Sequence, residues 1–223
     1  VKLWDLAGKE LRTFQEHSDR LLSVGFSADG KIVASGSVDG TVRLWNPEGK
    51  ELTSFQAHKG WVLSVSFSPN GRMLASSGSD DAVRLWNLDG AELRDGAELR
   101  TLKGHSGWVR SVSFSPDSHI VASSSDDGSI KLWNWKGKEL QTLQGHNGSV
   151  LSVSFSPNGQ IIASASDDGT VRLWNLNAAD LISRGCAWLD NYFVNHPEPL
   201  QELTVCHNET LLAQAAPALV RER

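Results

Sequence analysis

Four sets of histidine, serine, aspartate and tryptophan recur along this chain of 223 residues with constant spacing. Within each set the histidine precedes the tryptophan by 28 positions, the aspartate precedes it by six, and the serine lies four positions before the aspartate. The sets are His17, Ser35, Asp39 and Trp45; His58, Ser76, Asp80 and Trp86; His105, Ser123, Asp127 and Trp133; and His146, Ser164, Asp168 and Trp174. These side chains could relay a proton, bind a metal or form a buried hydrogen-bond network.

The repetition itself favours the network. A Ser–His–Asp hydrolase needs its catalytic set once, whereas this set recurs in every unit. Zinc sites need about four ligands close together, and each unit supplies a single histidine. A buried aspartate, in contrast, always needs partners, because an unsatisfied buried polar group costs about 1–3 kcal/mol. We therefore expect no catalytic site and no metal or cofactor, and keep a hydrolase using one of the sets as the alternative.

The stretch from His105 to Asn134 shows which elements position these groups. Val109–Ser115 alternates in the period of two that is typical of a strand, with Val109 predicted on the face opposite Val112. Ile120–Ser125 and Ile130–Asn134 are predicted as two further strands, joined by turns rich in Asp, Ser, Pro and Gly. A sheet of two or three strands is marginal in water, so it must stack against copies of itself.

The copies are marked by a Leu-Trp pair that ends each third strand. It recurs at intervals of 41, 41, 47 and 41 residues, starting from Trp4. The interval of 47 arises because Asp89–Arg94 is repeated verbatim as Asp95–Arg100, which we expect to enlarge a loop on the face opposite the histidines. A fourth, outer strand is predicted in each unit, at Glu10–Gln15, Glu51–Gln56, Glu98–Lys103 and Glu139–Gln144. Short strands at this period are typical of a propeller blade.

The repeats resemble WD-repeat (tryptophan–aspartate) β-propeller blades. The glycine–histidine dipeptide stands at Gly104–His105 and Gly145–His146, and becomes Glu16–His17 and Ala57–His58 in the first two repeats. The closing aspartate is kept at Asp5 and is asparagine in the other four repeats. The resemblance covers residues 1–176 and implies an all-β WD-repeat β-propeller that is incomplete, with three full four-stranded blades plus two partial ones.

Ring closure has three possible explanations. Propellers of this family usually have about seven blades, within a range of four to eight. Missing N-terminal blades of a longer protein could complete the ring, or self-association could do so. Alternatively, Glu10–Gln15 could complete the last blade of its own chain as a clasp and give a four-bladed ring.

Composition and motifs argue against nucleic-acid, membrane and nucleotide binding by this chain. The net charge of −5 gives no basic face for nucleic acid, and no membrane span or signal peptide is visible. Cys186 and Cys206 lie outside the repeats, which favours a reducing, cytoplasmic location. No phosphate-binding loop of the GxxxxGK[ST] kind occurs in the chain.

Residues 177–223 are predicted as a short α-helical C-terminal extension. This segment resembles the tail that follows the propeller in bacterial, notably cyanobacterial, multidomain WD-repeat proteins, many of which carry an N-terminal NTPase module. A Cys–His or metal site could be drawn from Cys186, Cys206, His196 and His207. We disfavour it, because Cys186 falls in an apolar helical stripe and buried cysteine is a common small hydrophobe.

The candidate binding surface is the histidine-side mouth of the ring. Trp61 and Trp108 occupy equivalent positions in adjacent repeats, with Arg110 beside them, and Trp and Arg are enriched among interface hot spots. The further candidates are Arg20, Leu22, Leu63 and Val38. The alternative is that the tryptophans only cover the core. We expect a non-enzymatic scaffold or sensor for protein or peptide partners, as the regulatory part of a signalling NTPase; the alternative is a module of an enzyme whose catalysis lies in a missing N-terminal domain.

Overall fold

The computed structural model describes residues 1–88 and 98–177, and all of the regular structure in these ranges is β-strand. The first copy of the duplicated hexapeptide, and the predicted helical extension with its Cys–His candidates, lie outside the described residues. No helix in the described ranges has the length and apolarity required to cross a lipid bilayer.

Seventeen strands form in the described ranges. They are β1 (Lys2–Trp4), β2 (Glu10–Thr13), β3 (Leu21–Phe26), β4 (Val33–Ser37), β5 (Thr41–Trp45), β6 (Glu51–Gln56), β7 (Val62–Phe67), β8 (Met73–Gly78), β9 (Ala82–Asn87), β10 (Glu98–Lys103), β11 (Val109–Phe114), β12 (Ile120–Ser125), β13 (Ser129–Asn134), β14 (Glu139–Gln144), β15 (Val150–Phe155), β16 (Ile161–Ser166) and β17 (Val171–Asn175). Three of the four predicted outer strands have the expected bounds, and β2 is two residues shorter than predicted.

The strands form five antiparallel sheets, which are the blades. Blade 1 is β1–β2, blade 2 is β3–β6, blade 3 is β7–β10, blade 4 is β11–β14 and blade 5 is β15–β17. This arrangement confirms the all-β, incomplete propeller with three full blades and two partial ones. Neighbouring blades meet along their first strands, since β3 contacts β7, β7 contacts β11 and β11 contacts β15.

The core lies between the blades. Each blade presents a leading face to the next blade and a trailing face to the preceding one. The blade 2 leading face (Ala34, Val42 and Leu44) packs on the blade 3 trailing face (Val62, Val65, Leu74 and Trp86), and the equivalent residues repeat this contact between blades 3 and 4 and between blades 4 and 5. This stacking buries the faces that a single sheet would leave exposed to water.

A β-bulge interrupts the first strand of every blade from 2 to 5. The register shifts between Leu21 and Ser23, and at the equivalent positions of the other three blades. In blade 4 the bulge brings Val109 and Val112 into the same apolar cluster, so the prediction that they occupy opposite faces is wrong. The bulge adds one residue to the strand and thereby changes which side chains share a face.

The two end blades do not complete each other within the chain. Strand β2 pairs with β1, with Lys2 opposite Thr13, and β17 is an edge strand of its three-stranded sheet. The structure therefore does not adopt the clasp in which Glu10–Gln15 completes the last blade. The other two explanations for closure, blades of a longer protein and self-association, stay predictions.

In blades 2, 4 and 5 a glycine follows the aspartate in the turn between the second and third strands, where blade 3 has Asp81. Gly40 follows Asp39 with a φ of 81°, in the left-handed region. A β-carbon at Gly40 would lie 2.8 Å from the carbonyl oxygens of both His58 and Gly60, which belong to the segment leading into blade 3. Gly40 thus lets one blade's turn approach the backbone of the next segment.

The first prediction compares two glycines with similar backbone angles. Gly30 has a φ of 69°, and a β-carbon there would meet no atom within 4 Å. Gly30→Ala should lower the free energy of unfolding by about 1–2 kcal/mol, the cost of the left-handed conformation alone. Gly40→Ala should cost at least about 1 kcal/mol more, because it also overpacks against backbone oxygens. Urea denaturation measures both, and equal losses would contradict the close approach.

Candidate functional site

In blade 4 the four recurring side chains form one continuous chain of hydrogen bonds. His105 Nδ1 lies 2.8 Å from Asp127 Oδ2, and His105 Nε2 lies 2.8 Å from Ser123 Oγ. The Trp133 indole Nε1–H donates to the same Ser123 Oγ over 2.8 Å. The chain of bonds therefore links the segment before the first strand to the second strand, the following turn and the third strand.

The same arrangement recurs in the other three sets. The histidine–aspartate distances are 3.1 Å for His17, 2.7 Å for His58 and 2.9 Å for His146. The histidine–serine distance is 2.8 Å in all three, and the indole–serine distance is 2.8 or 2.9 Å. The structure thus brings together all sixteen side chains in four equivalent groups.

The aspartate connects this chain to the backbone. Asp127 Oδ1 accepts the backbone N–H of Ser129 two residues later, over 2.9 Å, which fixes the tight turn. Its Oδ2 accepts the backbone N–H of Ser106 over 3.0 Å. One carboxylate therefore holds both the turn and the segment that enters the blade, and it accepts several of the hydrogen bonds that a buried charge requires.

A further hydroxyl joins the network and was missed in the sequence. Ser129 Oγ donates to Asp127 Oδ1 over 2.6 Å, and threonines at the equivalent positions of blades 2 and 5, Thr41 and Thr170, do the same over 2.6 Å. The available signal was a serine or threonine two residues after the aspartate in three of the four sets.

In blade 3 an arginine, and not a hydroxyl, donates this hydrogen bond to the aspartate. The residue of blade 3 at that position is Ala82, and Arg84 donates to Asp80 Oδ2 over 2.8 Å instead. The sequence predicted Arg84, with Arg43, Lys131 and Arg172, as a strand-surface residue whose stem covers apolar area. For Arg84 that prediction is incomplete, because its guanidinium belongs to the network. Arg43 and Lys131 pair with the outer-strand carboxylates of Glu51 and Glu139.

Burial and hydrogen bonding set the protonation states of the network. Burial lowers the pKa of His105 and of His17 and outweighs the neighbouring carboxylates, so both imidazoles are neutral at pH 7. Burial raises the pKa of Asp127, but hydrogen bonds from Ser129, His105 and the backbone outweigh it and hold this pKa below its usual value. A neutral imidazole then donates from Nδ1 to the carboxylate and accepts the serine hydroxyl at Nε2.

The hydrogen bonds among serine, histidine and aspartate match those of a hydrolytic triad, but the serine hydroxyls are not accessible to a substrate. Ser123, Ser35 and Ser76 have no exposed surface, and Ser164 is 2% exposed. A nucleophilic hydroxyl must reach the substrate, whereas these hydroxyls are enclosed between an imidazole and an indole. This geometry favours a structural network over catalysis. No cluster of three or more histidine, cysteine or acidic side chains suited to a metal exists in the part of the chain that is described.

Two predicted partner-binding residues contact each other on the histidine side of the blades. Trp61 of blade 3 and Trp108 of blade 4 have ring centroids 5.2 Å apart in an edge-to-face arrangement. Each is 37% exposed. Trp61 is positioned by its backbone N–H, which donates to Ser79 Oγ over 2.8 Å. The sequence placed these residues at equivalent positions, and the structure adds that they form one aromatic surface across the seam between two blades.

Arg110 completes this surface, because it is the extra residue of the β-bulge in blade 4. Its guanidinium carbon lies 4.9 Å from the Trp108 ring, and Nε and Nη2 each donate to Asp126 over 2.7 Å. The two parallel hydrogen bonds fix the guanidinium plane. We call Trp61, Trp108 and Arg110 the mouth patch.

The other predicted binding residues lie in blades 2 and 3. Arg20 is exposed, and its carbonyl accepts the backbone N–H of half-buried Val38. Leu22 and Leu63 are the bulge residues of their blades; Leu22 is exposed and Leu63 half-buried. No hydrogen bond, ion pair or ring contact within the described ranges joins these four residues to the mouth patch.

The second prediction uses two adjacent serines of β12. Ser123 and Ser124 are equally buried, but Ser124 Oγ has no hydrogen-bond partner among the described residues. Ser123→Ala should lower the free energy of unfolding by about 2–3 kcal/mol, because it leaves His105 and Trp133 without their shared partner. Ser124→Ala should change it by less than about 0.5 kcal/mol. Similar losses in urea denaturation would contradict the role of the network.

The third prediction concerns the dependence of stability on pH. The histidines and the aspartate of the network should both lower stability as the pH falls. Because the pKa of folded His17 and His105 lies below 6.5, the unfolded chain binds more protons below that pH and stability falls. Because the pKa of folded Asp127 lies below 3.8, a second loss begins as the pH falls toward that value. Urea denaturation from pH 8 to 3 should show both losses, and Asp127→Asn should reduce the second. Stability that rises between pH 7 and 5 would contradict the assignment.

Comparison with known protein families agrees with this geometry. The family model described as WD domain, G-beta repeat matches four segments, residues 8–46, 49–87, 96–134 and 137–175. Each matched segment contains one outer strand followed by the first three strands of the next blade, so the sequence repeat is offset from the blade. A comparison with curated proteins returned no match. Since the four matched repeats cover most of its length, the chain belongs to the WD-repeat family of β-propeller proteins.

Proposed function

We propose that this chain is a scaffold that binds a protein or peptide partner through the mouth patch. WD repeats generally mediate protein–protein interactions. The observation that carries the proposal is the exposed pair formed by Trp61 and Trp108, with Arg110 held against it. Tryptophan and arginine are the residue types that most often dominate binding energy at interfaces.

Contacts within the chain hold the patch in place. The Trp61 backbone N–H donates to Ser79, and the Trp61 ring packs against that of Trp108. Asp126 holds the Arg110 guanidinium over the Trp108 ring. Immobilising a long side chain on binding normally reduces affinity, so a surface that is already ordered retains more of its contact energy. The tryptophans also cover the seam between blades 3 and 4. This role is compatible with binding, because more than a third of each side chain stays exposed.

The remaining candidates would extend the contact around the mouth. On blade 2, Arg20 supplies a cation, and Leu22 and Val38 supply apolar side chains. On blade 3, Leu63 supplies a further apolar side chain. We place them at the edge of the partner's footprint. The net charge of −5 favours a protein or peptide over nucleic acid.

In the cell we propose a regulatory role for this scaffold, as the sensor portion of a cytoplasmic, bacterial signalling NTPase. What supports this is the resemblance of the segment after residue 177 to the tails of such multidomain proteins. The role would require an effector domain elsewhere in the same protein. We do not favour an enzymatic function for the repeats, because the four serines that would act as nucleophiles are enclosed.

The fourth prediction tests the mouth patch with peptides selected from a random phage-displayed library against the unaltered chain. Combined Trp61→Ala and Trp108→Ala substitutions should weaken binding of these peptides by about 30-fold or more, as loss of a hot spot of about 2 kcal/mol requires. Trp135→Ala is the matched control, because Trp135 is 44% exposed but follows β13, at the opposite rim.

Binding is measured by isothermal titration calorimetry, and circular dichroism verifies that each variant is folded. Trp135→Ala should leave the affinity unchanged. Peptides that bind the double variant as tightly as the unaltered chain would show that the partner surface lies elsewhere.

A further inference from the structure

The two tryptophans of the mouth patch differ from the network tryptophans in their hydrogen bonds. The network tryptophans each donate from the indole Nε1 to the serine of their own blade, and they are Trp45, Trp86, Trp133 and Trp174. Among the described residues, neither Trp61 nor Trp108 has an acceptor for its Nε1–H. A tryptophan at an interface combines an apolar ring with this polar donor. The patch therefore presents two rings and two donors that the chain itself does not use.

This combination occurs at one of the three seams between the described blades 2 to 5. The residue equivalent to Trp61 and Trp108 is Arg20 in blade 2 and Ser149 in blade 5. The seam between blades 3 and 4 thus has a tryptophan on both sides. Both of these blades have four strands, and each packs against a neighbour on both of its faces. The patch is therefore formed entirely within the interior of the blade array.

The charges of the patch are paired within the chain. Asp126 accepts two hydrogen bonds from the Arg110 guanidinium, through both of its oxygens. This guanidinium lies over the Trp108 ring, where it opposes the approach of a second cation. Lys59, two residues before Trp61, and Asp81, in the turn of the same blade, carry opposite charges. A segment that binds the two rings therefore needs no charge of either sign.

The two indole donors need carbonyl oxygens that are free to accept. The carbonyls of an α-helix are bonded within the helix. A β-strand ligand would pair with a sheet edge, but Trp61 and Trp108 directly precede β7 and β11 and so lie at strand ends. A polyproline II helix has no internal hydrogen bonds, so its carbonyls remain available. Its proline rings bind aromatic surfaces, and its preformed shape reduces the entropy lost on binding.

We propose that the segment bound by the mouth patch is an uncharged, proline-rich sequence in the polyproline II conformation. Its proline rings pack on Trp61 and Trp108, and its carbonyls accept the two indole N–H groups. The inference rests on the proposed function, because it names the chemistry of the partner at the same surface. Acidic, basic and helical segments are the alternatives that the test separates from it.

The test measures binding of decaproline with blocked ends, which is uncharged and adopts the polyproline II conformation. An uncharged glycine–serine peptide of equal length is the control. Isothermal titration calorimetry should show saturable binding of decaproline to the full chain and no binding of the control peptide. Because no ion pair forms, the affinity should change by less than about twofold between about 0.05 and 0.5 M NaCl.

Variants separate the rings from their donors. Trp61→Phe or Trp108→Phe keeps an aromatic ring but removes the N–H, and each should weaken decaproline binding about threefold to tenfold. Combined Trp61→Ala and Trp108→Ala should weaken it about 30-fold or more. Trp135→Ala should leave it unchanged, since Trp135 is exposed at the opposite rim. In nitrogen–proton correlation NMR spectra, the two indole signals that the phenylalanine variants remove should shift on addition of decaproline.

Absence of decaproline binding would overturn the inference, as would binding that survives the double alanine substitution. An affinity that falls steeply with salt would overturn it in favour of a charged partner, and unshifted indole signals would overturn it because the donors are then unused.

The library-selected peptides show whether the proposed function fails as well. If decaproline fails while those peptides still need Trp61 and Trp108, the patch binds a partner of another chemistry and the proposed function stands. If those peptides also bind the double alanine variant with unchanged affinity, the proposed function falls together with this inference.

Discussion

The carboxylate that begins each tight turn carries the local order of a blade. Asp127 is largely buried and charged, and such a group is tolerated only when its oxygens are bonded. It obtains these bonds from the turn, from the segment before the first strand and from His105, which in turn reaches Ser123 and Trp133 on the two inner sheet strands. One costly charge therefore fixes the relative positions of three strands. Hydrophobic burial between blades then supplies the stability that this polar network does not.

Much of this could be predicted from spacing alone, because a network repeated four times leaves a period in the sequence. The outer strands β6, β10 and β14 were predicted to the residue, since each begins at a glutamate at the same offset from a histidine. The bulge at Arg110 could not be predicted, because alternation cannot show where one extra residue enters a ladder. Arg84 was also misjudged. Every repeat has an arginine or lysine at this position, but only in blade 3 does residue 82 lack the hydroxyl, and there Arg84 bonds the aspartate.

The contact between Trp61 and Trp108 also could not be predicted from the sequence. Their equivalent positions in adjacent repeats could be read from the sequence, whereas the 5.2 Å separation depends on how closely two blades stack. Arg110 meets Trp108 because the bulge removes it from the ladder and Asp126 fixes its guanidinium. Residues that vary between otherwise identical repeats are free of the network's constraint. The rim positions can therefore differ from blade to blade, while the inner strands carry the fold.

The repetition that makes each blade predictable leaves the number of blades in the ring undetermined. Every blade has a leading face that fits the trailing face of any other, because Val42, Val83 and Ile130 are covered in the same way. Nothing within one seam specifies whether the covering blade belongs to the same chain. The faces of blades 2 and 5 that no described residue covers carry the same kinds of side chain, Val24, Val171 and Leu173, so the interaction that joins blades 2 and 3 would also join them to a further blade. A ring closes when every leading face is covered by a trailing face. Because the contact at the closing seam is the same as at the inner seams, the number of blades decides closure.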